Sequence, residues 1–276
     1  MNKRKLIIAV AAVMLAAYAS FCAAVRLKPQ WFFYNPDVTK ADINQPLSYG
    51  LKLQEVSYTT FDGLNLYGWI KAPRRGQKMI VFYHGNSHNI GRFYNKLKPL
   101  ADEGYGVFMP EYRGFGGNDG EITQAGFEQD ALAAVDYLHR LGYKNRQIVL
   151  YGMSLGSYTS SYAAANSDGG RFAGLILEVP FDSLLNVVRQ RIWPVFPFQL
   201  LIKDQYDNLL NLAKLQIPLL VMAARNDTTV PLQRAQELFA QALEPKELII
   251  YDNAEHSELV ENSNWRDILR WLKHLK

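Results

Sequence analysis

Cysteine is nearly absent from this chain of 276 residues, and acidic side chains are missing from its first 28 positions. The single cysteine, Cys22, excludes an intrachain disulfide and any metal site built from several cysteines. The same 28 positions carry five basic side chains, and without them the formal net charge of +4 falls to about −1. A nearly neutral body argues against a nucleic-acid-binding surface. The chain also lacks internal repeats and low-complexity linkers.

Residues 1–28 have the pattern of a membrane anchor or signal segment. Lys3, Arg4 and Lys5 precede an uncharged stretch of roughly 20 residues, 6–25, which is long enough to span a bilayer. The basic flank favours a cytoplasmic N-terminus and an exported body, periplasmic in a Gram-negative bacterium. A secreted protein, cleaved at Ala17-Tyr18-Ala19, is the alternative. The apolar run continues past that site, which favours an uncleaved anchor.

The rest of the chain divides into a connecting segment, 29–50, and a body, 51–276. The connecting segment contains Trp31-Phe32-Phe33-Tyr34, which is typical either of an interfacial aromatic belt or of core packing. Within the body, 180–215 reads as a small cap insertion. Its stretch 192–198 is aromatic and interrupted by prolines, so it is a candidate to line an acyl pocket, to contact a membrane or to pack on the sheet.

The body alternates short apolar runs with helical spacing, which predicts an α/β fold. The runs predict strands at 56–60, 64–71, 79–83, 106–110, 148–150, 174–178, 217–223 and 247–251. Helices are predicted at 92–103, 127–141, 157–166, 231–242 and 265–273. The first two strands should form an antiparallel hairpin around Asp62-Gly63. The alternation of the others indicates a mostly parallel eight-stranded sheet with helices on both faces.

The stretch Gly152-Met153-Ser154-Leu155-Gly156 lies between a predicted strand and a predicted helix. This is the G-x-S-x-G pattern of a nucleophile elbow, in which a sharp turn exposes the serine hydroxyl at the carboxyl edge of a sheet. A helix N-cap serine after a tight turn is the alternative. A nucleophilic serine requires a base and an orienting acid, which should follow it in the order acid, then histidine.

Asp227 and His256 fit that order, since each follows a predicted parallel strand. Parallel strands present their carboxyl ends at one edge of the sheet, so Ser154, Asp227 and His256 can converge there. Asp182, after the preceding strand, is the alternative acid. His139 lies on a predicted helix and His274 directly follows another, and both should face solvent.

The segment His84-Gly85-Asn86 follows the strand at 79–83 and is a candidate oxyanion loop. Acyl transfer requires N–H donors for the developing oxyanion, and we expect them from the backbone of Asn86 and Leu155. His84 should brace this loop by hydrogen bonding. Arg113, in a glycine-rich loop whose spacing does not fit a dinucleotide site, should form structural ion pairs.

These motifs together resemble the α/β-hydrolase superfamily, in particular membrane-anchored serine hydrolases related to the prolyl-oligopeptidase and depalmitoylating-thioesterase branches. The resemblance covers the body from about Val56 to the end. It rests on His84-Gly85-Asn86, Tyr112-Arg113-Gly114-Phe115-Gly116, the elbow, Asp227 and His256. The chain departs from the family pattern at Ser87-His88 and at Glu255, where small residues or glycine are usual.

The resemblance implies a serine hydrolase that cleaves carboxylic esters or thioesters through an acyl-enzyme intermediate, without metal or cofactor. Its substrate would be a small or acylated molecule, and Ser87, His88 and Met153 are candidates to contact it. Two alternatives remain: a serine peptidase of the same fold, and an envelope binding protein without catalysis.

Overall fold

The computed structural model describes residues 2–191, 196–261 and 264–275. The predicted fold class is confirmed, since an eight-stranded sheet lies at the centre of these described residues. Its strands are β1 (Gln54–Thr59), β2 (Asn65–Lys71), β3 (Met79–Tyr83), β4 (Gly106–Pro110), β5 (Ile148–Met153), β6 (Gly174–Glu178), β7 (Leu219–Ala224) and β8 (Lys246–Tyr251).

The strand order in space is β8-β7-β6-β5-β3-β4-β2-β1. β2 is antiparallel to both of its neighbours, and the other pairings of the sheet are parallel. The hairpin predicted around Asp62-Gly63 is the β1–β2 pair, with Thr59 opposite Asn65. Because β3 to β8 run in parallel, their carboxyl ends meet at one edge of the sheet.

The longer helices are α1 (Lys3–Leu27), α2 (Tyr94–Asp102), α3 (Gln124–Arg140), α4 (Leu155–Asn166), α5 (Leu184–Arg191), α6 (Leu232–Gln241), α7 (His256–Glu261) and α8 (Trp265–Leu272). One-turn helices occur at Gln30–Phe33, Asn44–Ser48, Phe198–Leu201 and Asn208–Leu212. Two 3-10 turns, Ile90–Arg92 and Asn145–Gln147, precede α2 and β5.

The sheet is buried on both faces, which explains why its central strands read as continuous apolar runs. In β3, Met79, Val81 and Tyr83 face one core, which they share with α3, α4 and α6. Ile80 and Phe82 face the opposite core, which is formed with α2 and α8. The alternation of side chains along a strand sends neighbouring residues into different cores.

Beside the candidate catalytic residues, two helices begin at other positions than the sequence predicts. α4 begins at Leu155, directly after the serine, and not at residue 157. His256, predicted in a loop, is the first residue of α7. In both places the candidate catalytic side chain lies at the N-terminal end of a helix, because the chain turns sharply as it leaves the sheet.

The insertion at 180–215 contains α5 and the one-turn helices Phe198–Leu201 and Asn208–Leu212. Part of its aromatic stretch, residues 192–195, lies outside the described residues. Phe196 and Phe198 are described, and their rings lie 5.7 Å apart. Phe198 is buried in a small cluster with Leu185, Val188 and Ile202.

Among the described residues, α1 is the one helix long and apolar enough to cross a membrane. No residue in its most apolar stretch is buried. Near its C-terminal end, Tyr18 stacks on Phe196, and Phe21 contacts Phe196 and Phe32. Its position at the N-terminus fits either a membrane anchor or a signal sequence.

Candidate active site

Ser154 occupies a sharp turn between β5 and α4. Its backbone has φ +53° and ψ −117°, a conformation that costs free energy for a residue with a side chain. A Cβ atom on Gly152 would lie 2.1 Å from the carbonyl oxygen of Gly156, and one on Gly156 would lie 2.0 Å from that of Tyr83. Glycine is therefore required at both positions, as the elbow motif predicts.

Backbone hydrogen bonds hold this turn in place. The Ser154 N–H donates to the carbonyl of Glu178 at the end of β6, at 2.8 Å. The Ser154 carbonyl accepts from Ser157 N–H at 2.9 Å, which starts α4. The serine is nearly buried, with 9% of its surface exposed, and it lines two cavities.

Asp227 and His256 form a hydrogen-bonded pair at the same edge of the sheet. The distance from His256 Nδ1 to Asp227 Oδ2 is 2.6 Å. The other carboxylate oxygen of Asp227 accepts from the N–H groups of Thr229, at 2.8 Å, and Val230, at 2.6 Å. A carboxylate can only accept, so Nδ1 is the donor, and Nε2 of a neutral His256 ring is left as a proton acceptor.

Ser154 and His256 line the same cavity of about 190 Å³. Among the described residues, no hydrogen bond joins Ser154 Oγ to His256. Nucleophile and base are often further apart in a free enzyme than in its complex with substrate. The structure therefore brings the two residues to one cavity without forming their hydrogen bond.

The candidate oxyanion donors lie beside Ser154. A Cβ on Gly85 would lie 3.5 Å from Ser154 Cβ, so the loop after β3 approaches the serine closely. Asn86 and Leu155 line one cavity together with Ser154. Neither the N–H of Asn86 nor that of Leu155 donates to another group in the part of the chain that the structure describes. Both donors are thus available to an oxyanion at Ser154.

The two cavities at Ser154 differ in character. The cavity of about 190 Å³ contains the polar candidates for substrate contact, Ser87 and His88, and also Met153. The second cavity, of about 370 Å³, is lined mainly by apolar side chains: Phe32, Phe33, Tyr34, Phe181, Leu184, Val187, Val188, Tyr206 and Val230. Asn86, Ser154 and Thr229 line both cavities, so the serine lies at their junction.

His84 and Glu111 form a buried pair beneath the oxyanion loop. His84 Nε2 lies 2.8 Å from Glu111 Oε1, and Nδ1 lies 2.9 Å from the carbonyl oxygen of Gly85. Glu111 Oε2 accepts from Ile90 N–H at 2.8 Å. These contacts support the expectation that His84 braces the loop.

Asp182, the alternative acid, has other partners. Its carboxylate accepts from Arg234 Nη1 at 2.9 Å, from Asn186 Nδ2 at 2.7 Å and from Ser183 N–H at 2.7 Å. Burial raises the pKa of this carboxyl group. No hydrogen bond connects Asp182 to His256 among the described residues, so Asp227 is the acid in contact with the histidine.

Arg113 joins two carboxylates away from Ser154, as expected for a structural residue. Its guanidinium donates to Asp62 and to the buried Asp130 at 2.8–3.0 Å. The hydrogen bonds from Arg113 lower the pKa of Asp62 to about 2, whereas burial raises the pKa of Asp130 to about 6. The ion pairs tie the hairpin turn and α3 to the loop after β4.

A buried network that is not apparent from the sequence motifs also reaches the site. Lys96 Nζ donates to Glu178 Oε1 at 2.6 Å and to the carbonyl of Leu259, in α7, at 2.7 Å. Tyr151 donates its hydroxyl hydrogen to the other oxygen of Glu178. Two features of the sequence could have indicated this network. Glu178 is a charged residue at the end of an otherwise apolar strand. Lys96 occupies a position in α2 whose spacing is that of core residues.

Within residues 2–191, 196–261 and 264–275, no group of three or more histidine, cysteine, aspartate or glutamate side chains is arranged to hold a metal ion.

Known proteins resemble this chain in sequence and in fold. Residues 78–201 match the family described as alpha/beta hydrolase fold. The uncharacterized protein YfhR of Escherichia coli K12 is 30% identical over 232 residues, 82% of this chain and 79% of YfhR.

Two solved structures share the fold at low sequence identity. An esterase of Pyrococcus furiosus has a TM-score of 0.69 and 22% identity, and the match covers 88% of this chain and 99% of the esterase. An acylaminoacyl peptidase of Pyrococcus horikoshii has a TM-score of 0.63 and 19% identity, over 84% of this chain and 42% of the peptidase. With the strand order and the elbow, these similarities show that the chain belongs to the α/β-hydrolase superfamily, whose prolyl-oligopeptidase-like branch fits it.

Proposed function

We propose that the chain is a serine hydrolase that cleaves carboxylic esters or thioesters through an acyl-enzyme intermediate. The observation that carries the proposal is the position of Ser154, in a strained turn at a cavity that is also lined by His256, the hydrogen-bond partner of Asp227. A hydroxyl group needs such a base to become a nucleophile at neutral pH. The hydrolase fold fits a small-molecule substrate.

In the first half-reaction, Ser154 Oγ attacks the carbonyl carbon and His256 Nε2 takes the hydroxyl proton. The N–H groups of Asn86 and Leu155 stabilise the negative charge on the carbonyl oxygen. The bond to the leaving group breaks as His256 returns the proton to it. In the second half-reaction, His256 removes a proton from water, which attacks the acyl-enzyme, and the acid is released as Ser154 regains its proton.

The apolar cavity supports an acyl group as the part of the substrate that is bound there. Its volume of about 370 Å³ and its largely aliphatic and aromatic lining suit a hydrocarbon chain. The smaller cavity, with Ser87, His88 and His256, would then receive the leaving group. A peptidase acting on an acylated amino-terminal residue is the alternative within the same mechanism.

We further propose that α1 is an uncleaved membrane anchor and that the body is exported. Cleavage at Ala17-Tyr18-Ala19 would separate Tyr18 from Phe196, on which it stacks. An intact anchor keeps this contact. Mass spectrometry of the protein isolated from membranes should find the N-terminal segment, whereas a mature chain beginning near Ser20 would support secretion.

The serine mechanism is tested with a fluorophosphonate probe on the full chain in detergent. We expect labelling of the wild type and loss of labelling in Ser154→Ala and His256→Ala. Ser48→Ala and His274→Ala change the same residue types at exposed positions outside the site and should label like the wild type.

Failure of the folded wild type to label in detergent and in liposomes would refute the hydrolase proposal and favour a binding protein. If labelling occurs, ester, thioester and aminoacyl-amide substrates distinguish the reaction classes. Turnover of the amide alone would replace the esterase proposal with the peptidase.

A further inference from the structure

The segment that follows α1 is part of the candidate site. Residues 33–39, here called the N-terminal strap, run beside the loop that carries Asn86. Asn35 and Pro36 pair in parallel with Ser87 and His88, which forms a two-stranded sheet outside the central one. A segment that the sequence predicts to be a connection thus lies against the candidate oxyanion loop.

The strap contacts Asn86 at two of its polar groups. Asn35 N–H donates to the Asn86 carbonyl at 2.9 Å, and Asn86 Nδ2 donates to the Phe33 carbonyl at 2.7 Å. The carbonyl and the side-chain amide of Asn86 are therefore both fixed by the same segment. The N–H of Asn86 belongs to the preceding peptide plane, so these bonds restrain it through the Cα atom of Asn86, which joins the two planes and carries the side chain.

The loop needs this support because its own conformation is strained. His88 has φ +64°, in the left-handed region that few residues other than glycine adopt. Asp37 N–H donates to the His88 carbonyl at 3.2 Å, so the strap holds the loop on both sides of Ser87.

The strap is itself fastened to the body at both ends. Near its start, the hydroxyls of Tyr34 and Tyr206 are 2.5 Å apart and hydrogen-bonded. Further along, Gly116 N–H donates to the Asp37 carbonyl at 2.7 Å, and Asn89 Nδ2 donates to the Thr39 carbonyl at 2.9 Å. The first bond connects the strap to the cap insertion and the second to the loop after β4, whereas the third joins it again to the loop after β3.

We propose that the N-terminal strap is a positioning element of the active site, which holds the Asn86 N–H where the oxyanion forms. The inference rests on the proposed function for its catalytic consequence. The bracing of the loop itself does not depend on that function. Donors of an oxyanion hole act only when they are held in place before the reaction, and small displacements cost large factors in rate.

A matched pair of variants at Asn35 tests the strap in the full chain. Asn35→Pro removes the N–H that binds the Asn86 carbonyl, whereas Asn35→Ala keeps it and changes only an exposed side chain. Hydrogen–deuterium exchange of peptides covering residues 84–92 reports the bracing. The rate of fluorophosphonate labelling and the kcat for an ester report the catalytic role.

In Asn35→Pro we expect exchange about 3- to 10-fold faster in the loop, from the loss of one hydrogen bond. We expect kcat and the labelling rate to fall about 10- to 100-fold, with little change in KM, because substrate binding does not use the oxyanion donors. Asn35→Ala should match the wild type in all three measurements. If Asn35→Pro does not fold, Asn86→Ala tests the other contact while keeping the backbone N–H.

Equal exchange rates in the proline and alanine variants would refute the proposal that the strap braces the loop, whether or not the protein is an enzyme. Faster exchange with unchanged kcat in an active enzyme would overturn its positioning role. Absence of labelling and turnover in the wild type would instead count against the proposed function, and the exchange result would still decide whether the strap braces the loop.

Discussion

At the scale of single residues, two aspartates at the carboxyl edge of the sheet have separate partners. Asp227 bonds to His256 Nδ1 and to two backbone N–H groups, whereas Asp182 pairs with Arg234. In the proposed mechanism the acid orients the imidazole and stabilises its charged form. The two positions should therefore respond differently to the same substitution.

We expect Asp227→Asn to lower kcat by a factor on the order of 10⁴, because an amide in place of the carboxylate favours the wrong tautomer of His256. Asp182→Asn should keep kcat per folded molecule, although its ion pair with the buried Arg234 is lost. Ester hydrolysis by both variants, corrected for the folded fraction, measures the difference. A larger loss of kcat in Asp182→Asn would assign the acid to Asp182.

At the scale of elements, α2 is connected to β6 and α7 by the buried Lys96. Its ammonium group has two described acceptors, the Glu178 carboxylate and the Leu259 carbonyl. Lys96 and Glu178 are 3% and 0% exposed, so neither charge has water as a replacement partner. The same residue, Glu178, accepts from the N–H of Ser154 through its backbone carbonyl.

Lys96→Met should lower the free energy of unfolding by about 3–5 kcal/mol, because it leaves Glu178 buried without a counter-charge. Adding Glu178→Gln to Lys96→Met should restore part of this stability, since the buried charge is then absent. Urea unfolding of the wild type and the two variants measures the effect. A loss below about 1 kcal/mol in Lys96→Met would show that water reaches the pair.

At the scale of the whole molecule, the apolar cavity is assembled from parts that are distant in sequence. Phe32 and Phe33 follow α1, Leu184 and Val188 belong to the cap insertion, and Val230 follows β7. The size and lining of the cavity therefore depend on how the N-terminal segment and the cap insertion pack on the sheet. Under the proposed function, this packing should set the length of acyl chain that the cavity accepts.

For a series of esters, kcat/KM should rise about fourfold for each added methylene group until the cavity is filled. Leu184→Trp should shift the maximum to shorter chains, because a larger side chain occupies part of the cavity. Leu210→Trp adds the same side chain at an exposed position outside the cavity and should leave the series unchanged. An identical chain-length profile in Leu184→Trp would place the acyl group elsewhere.

Features that depend on short segments could be predicted from the amino-acid sequence. Buried parallel strands require continuous apolar runs, so the strands and the α/β class could be predicted. The turn at Ser154 leaves no room for a Cβ at Gly152 or Gly156, so five residues of sequence are enough to predict the turn.

Features that join distant segments became visible only in the folded chain. Asp182 and Asp227 look alike in sequence because both follow strands at one edge, and their choice of partner depends on where His256 and Arg234 lie. The salt bridge of Lys96 with Glu178 and the N-terminal strap on Asn86 connect residues about 50 to 80 positions apart. Local sequence patterns carry no information about such contacts, because the packing of whole helices and strands determines which residues meet.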